Sequence, residues 1–168
     1  MSDRIRSTAV AAIFLRFALA AGFLSAVADR FGLWGPPGTP GVAWGGFDRF
    51  LAYTGKLLWY LPPFLVPVAG WAATVLEVVL AVGLVAGVRL RAVALASGVL
   101  MSVFAVTMTV ALGPEPPLSY SVWSAAAGAF LLASLRPAPG AAGAGDEGRS
   151  LHRGQAVTDR TGSGLAAS

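Results

Sequence analysis

Four stretches of this chain are too long and too apolar for a water-soluble core, and they dictate the solvent in which it folds. They cover about residues 7–28, 64–88, 92–112 and 118–135. Each approaches the roughly 20 residues a helix needs to cross about 30 Å of hydrocarbon. Inside them the only charged side chains are Arg16 and Glu77. Lipid offers no hydrogen bonds to a bare backbone, so such segments must be helical. The expected fold is an all-α polytopic membrane protein, a bundle of four transmembrane helices. Composition agrees: 12% of residues are charged, about half the roughly 25% of soluble domains.

The first stretch has a rival reading, because Arg4 and Arg6 precede it as they would a secretory signal. Arg16 interrupts its apolar centre, and the run is longer than a signal requires. A retained helix is therefore expected. The second stretch opens on Pro62, Pro63 and Pro67, which are tolerated in a first turn where amide donors go unused.

Basic residues set the orientation. Arg4, Arg6, Arg89, Arg91 and Arg136 fall on one side of the pattern, and Arg30, Arg49 and Lys56 on the other. The excess marks the cytoplasmic side, so both termini are expected there, in a bacterial inner (cytoplasmic) membrane. The arginines are spread along the chain and read as topology signals; no nucleic-acid partner is expected.

The long connection, about residues 29–63, is expected on the extracytoplasmic side. It contains Gly35-Pro36-Pro37-Gly38, a turn sequence. From Phe47 it becomes periodic. Phe47, Phe50, Leu51, Thr54, Leu57 and Leu58 share one helical face, with Asp48, Arg49 and Lys56 elsewhere. That predicts an amphipathic loop helix over about 46–59, lying at the interface. It would act as a structural cap on the bundle or as a lid over a site. Trp34, Trp44, Trp59 and Tyr60 suit an aromatic belt. Beyond Arg136 the chain is rich in Gly, Ala, Pro and Ser, so 137–168 is expected to be a disordered cytoplasmic tail.

The absence of cysteine excludes disulfides, thiol exchange and cysteine-bound metal or iron–sulfur centres. The single histidine, His152, lies in the tail, which excludes a bis-histidine haem in the bundle. No metal site and no intrinsic cofactor are expected. What remains is the pair of intramembrane charges, since each costs about 2.5–3.5 kcal/mol at a helix centre. Counting 1.5 Å per residue from the span ends places Arg16 and Glu77 both roughly 13–17 Å from the cytoplasmic face. They are expected to meet, as a structural ion pair or as a site for a ligand head group or a proton. Small residues around them, Gly70, Ala73, Thr74 and Ala81 beside Glu77 and Ala9, Ala12 and Ala20 beside Arg16, allow close approach. Asp29 and Arg30 are expected as interfacial anchors, or as the mouth of a site beneath the loop helix.

The run Leu15-Arg16-Phe17-Ala18-Leu19, then Gly22-Phe23 and Asp29-Arg30-Phe31-Gly32, resembles the opening of DoxX-type membrane proteins. So does Leu76-Glu77-Val78-Val79-Leu80-Ala81-Val82-Gly83-Leu84, with Gly87 and Arg89 following. The likeness covers about residues 8–136. It implies a four-helix bundle and identifies Arg16 and Glu77 with the family's arginine and glutamate. It also implies membership of a redox or oxidative-stress system. A quinone or another lipid-like ligand would then sit at Arg16 and Glu77, with protein partners in a redox complex. A non-catalytic scaffold or assembly factor is the competing reading, and a small-solute transporter a third; 168 residues would need to oligomerise to form a pathway.

Overall fold

A computed structural model describes residues 2–135, with side chains from Arg6 onward. Met1, Arg136 and the expected disordered tail at 137–168 lie outside the described residues. The described residues form six helices and no strands: α1 (Ser2–Arg30), α2 (Phe47–Leu57), α3 (Leu65–Ala86), α4 (Leu90–Leu112), α5 (Glu115–Ser119) and α6 (Val122–Ser134). Three helical segments are long and apolar enough to cross a membrane: Arg6–Arg30, Leu65–Ala86 and Leu90–Leu112. This is the make-up of a membrane helical bundle.

The fourth apolar stretch is not one helix. Ser121 adopts a left-handed φ of 56° between α5 and α6, and a right-handed helix cannot run through such a residue. Pro116 and Pro117 stand in the first turn of α5, where missing amide donors are tolerated. The apolar helix that follows has 13 residues, about 20 Å of rise.

α1 packs chiefly on α3, and α4 chiefly on α6. Gly87 ends α3 with φ at 71°, its amide donating to the Gly83 carbonyl at 2.9 Å, and the chain re-enters a helix at Leu90. The core consists of Leu19, Ala20 and Phe23 of α1, Leu80, Ala81 and Leu84 of α3, Ala94 of α4, and Ala129, Leu132 and Ala133 of α6. Four of these ten are alanines with 3% exposure or less. Small side chains permit close helix approach where lipid supplies no hydrophobic drive for association. The α4–α6 contact is close at Gly98, where an added Cβ would lie 2.7 Å from the Phe130 ring.

α2 lies against the end of the bundle where α1 finishes and α3 begins. Its apolar stripe is turned inward: Phe50 and Thr54 are buried, Phe47, Leu51, Leu57 and Leu58 half-buried, while Asp48, Arg49 and Lys56 are exposed. Gly70 of α3 receives Leu51 and Phe50, since a Cβ there would stand 2.5 Å from the Leu51 side chain.

Gly98→Leu is expected to destabilise the bundle by about 1–3 kcal/mol through overpacking. Gly22→Ala, at a position with open space around it, should leave the thermal midpoint in lipid discs unchanged or slightly raised.

Candidate functional site

The last residue of α1 carries the central interaction. Arg30 Nη2 lies 2.7 Å from Glu77 Oε1 of α3, with side-chain exposures of 3% and 2%. Its Nη1 donates to Thr74 Oγ1 at 2.9 Å. The Thr74 hydroxyl in turn donates to the Gly70 carbonyl at 2.9 Å, so it is used as both acceptor and donor. The Phe50 ring of α2 stacks on the guanidinium at 4.0 Å, and Trp44 approaches it at 5.5 Å. The charge is therefore paired, hydrogen-bonded and covered by aromatic faces, as burial of an arginine requires. Two buried polar atoms of the pair remain without partners: Arg30 Nε and Glu77 Oε2.

The expected partnership of Arg16 with Glu77 is thus corrected. Arg16 Nη2 instead donates to the Val85 carbonyl at 3.0 Å, eight residues beyond Glu77, or about 12 Å along the helix. Depth counted at Cα overlooks the direction in which helical side chains lean, which is toward their own N-terminus. α1 and α3 run antiparallel, so Arg16 and Glu77 lean apart, whereas Arg30 and Glu77 lean together. Arg16 reaches the last turn of α3, where carbonyls lack intrahelical donors and a cation complements the helix dipole. Its guanidinium is also close to Gly87, where an added Cβ would lie 3.0 Å from Nη1. Arg16 is a half-buried cap on α3, and Arg30 is the partner that the sequence reading had placed at the interface.

Asp29 has a separate task. Its carboxylate accepts the amides of Ala43 at 2.9 Å, Trp44 at 3.1 Å and Gly45 at 3.1 Å. It is 6% exposed and lies outside the cavity wall described below. It fastens the irregular segment between α1 and α2 back onto α1. Gly45 makes this closure possible: φ is 64°, and a Cβ would stand 2.6 Å from the Pro37 nitrogen. Asp29 is an anchor; Arg30 faces the interior.

That interior holds a cavity of about 820 Å³ between α1, α2, α3 and α4. Phe23, Ala26, Phe50, Ala73, Leu76 and Phe104 are among its mainly apolar walls, and Arg30 and Glu77 contribute polar surface. Arg49, Tyr53 and Lys56 of α2 line it as well, with Tyr120 between α5 and α6. Burial pushes the Tyr53 hydroxyl above the ordinary phenol value of 10.0, and nearby Tyr120 adds to the shift. Tyr53 is therefore a neutral hydrogen-bond donor at physiological pH. A site beneath the loop helix is one of the alternatives the sequence offers, but its extent is not; the signal for that is the alanine run Ala69, Ala72, Ala73 opposite the mid-part of α4. Among the described residues no group of His, Cys, Asp or Glu could hold a metal ion. No protein-family model, curated protein or solved structure matches the chain.

Removing either partner of a buried pair leaves an uncompensated charge, so Arg30→Gln and Glu77→Gln are each expected to cost about 3–5 kcal/mol. A double-variant cycle should give strong coupling for Arg30 with Glu77 and none for Arg16 with Glu77. Loss of the Arg16 cap should cost only about 1 kcal/mol. Asp29→Ala releases three amides at once, and should expose residues 35–46 to limited proteolysis while the long helices stay intact.

Proposed function

We propose that this chain is a DoxX-like component of the bacterial cytoplasmic membrane that holds a lipid-like ligand, of the quinone type among others, above the Arg30–Glu77 pair. The observation that carries the reading is the cavity itself: an apolar chamber whose wall contains a buried ion pair with one donor and one acceptor atom unused. Its volume lies in the usual range for small-molecule sites, about 300–1,000 Å³. An intramembrane charge pair at such a chamber is a site by default. Arg30 would donate to a carbonyl or anionic oxygen of the ligand, and Glu77 would balance the charge or take up a proton.

In this reading α5 and α6 together make the fourth crossing, since Glu115–Ser134 contains about as many residues as a span requires. Both termini are cytoplasmic and α2 caps the extracytoplasmic end. The redox or oxidative-stress setting comes from the DoxX resemblance. The alternative is a scaffold or assembly factor for partner proteins, and it predicts an empty chamber.

The two separate by extraction. Protein purified in lipid discs should carry a quinone-type or other lipid-like compound at close to one per chain, measured by mass spectrometry of the solvent extract. Ala73→Phe, which places a ring in the chamber wall, should reduce that retention without unfolding the bundle. An extract identical for both proteins would leave the scaffold reading standing.

A further inference from the structure

The cavity has a rim as well as a floor, and the two differ in charge. Arg49, Tyr53 and Lys56 recur at i, i+4 and i+7 on α2, so they form one stripe about 10 Å long, and all three line the cavity. Arg49 and Lys56 are exposed, and Arg30–Glu77 is the ion pair present among the described residues, so neither rim cation is neutralised by a carboxylate. Tyr53 adds a phenolic donor between them. On the flank, Leu76 of α3 and Val103 of α4 belong to the cavity wall and are 49% and 54% exposed. The chamber therefore opens sideways between two apolar helices, toward the hydrocarbon of a membrane, and upward toward a cationic stripe.

We infer that the cavity takes an anionic amphiphile drawn from the bilayer, its acyl chain entering between α3 and α4 and its negatively charged head group held by Arg49, Tyr53 and Lys56. The inference rests on the ligand-binding reading above and narrows it to a ligand class. The charge arrangement discriminates. A neutral chain gains the apolar walls alone, and a cationic head is repelled by the rim. An anionic head gains two cations and a neutral phenol, at the depth where head groups lie and where each basic residue attracts an anionic lipid. The Arg30–Glu77 pair, overall neutral and covered by Phe50, lies at the floor, where the unused Arg30 Nε can meet a carbonyl of the ligand while the anionic head is held at the rim.

The test uses the full chain in phosphatidylcholine discs with three photoactivatable probes that share one diazirine-bearing acyl chain: the free fatty acid, its methyl ester and the phosphatidylglycerol. Crosslinks are mapped to peptides by mass spectrometry. The fatty acid, the phosphatidylglycerol or both should label cavity-lining residues of α3 and α4 about thirtyfold more than the methyl ester, as expected for two basic contacts near a membrane surface. Which of the two anionic probes labels identifies the source of the head group. Arg49→Gln/Lys56→Gln should reduce labelling to the level of the ester, and Arg49→Glu/Lys56→Glu should reduce it further. Both changes are at exposed positions and leave the bundle core untouched. Equal labelling by acid, phosphatidylglycerol and ester would overturn the anionic assignment while the ligand-binding reading stands. Absence of cavity labelling by every probe would overturn both.

Discussion

A charge withdrawn from water inside a bilayer must find its partner within the protein, and Arg30 and Glu77 meet that demand for each other. The requirement reaches well beyond two side chains. Glu77 must face α1, which fixes the rotation of α3, and Gly70, Thr74, Leu80, Ala81 and Leu84 are buried on the helix with it. Arg30 must end α1 at the right height, which sets the register of α1 against α3. Its guanidinium must also be covered, and that task falls to Phe50 and Trp44. The position of α2 thus follows from the ion pair as much as from its own apolar stripe. Such a pair is a poor source of net stability; what it provides is a single permitted arrangement of three helices.

The chamber follows from the same arrangement. α1 and α3 are drawn together by the pair and by small residues, and α4 is held to α6 by Gly98 against Phe130. The short Gly87–Arg89 connection keeps α3 and α4 close at one end, where Gly83 meets Val93. Toward the other end the alanines at 69, 72 and 73 leave space between them. α2 covers this space, with aromatic and aliphatic groups facing down and basic groups at the edge. The charged side chains of the chamber wall lie at the ion pair and at the rim.

Much of this was legible in the sequence, because hydropathy and periodicity report directly on burial. The long apolar helices, the helix from Phe47 and the buried face of Glu77 all depend on local patterns. The partner of Glu77 did not, since antiparallel packing allows several registers and residue counting treats side chains as points on an axis. Arg16 and Arg30 are about 21 Å apart along α1, so the exchange reflects both the lean of the side chains and a register that sets Arg16 beside the end of α3. The break at Ser121 was equally hidden: serine carries no strong signal for a left-handed conformation, and the run from Leu118 to Leu135 reads as continuous. The role of Asp29 depends on three amides fourteen to sixteen residues away, a closure no periodicity reveals.

Asp29 and Arg30 are consecutive, and on a helix consecutive side chains project about 100° apart. One grips the backbone of the connecting segment, and the other holds the floor of the chamber. The final turn of α1 is therefore a shared pivot. The connecting segment and the floor of the chamber are thus held from neighbouring residues, joined by a single peptide bond.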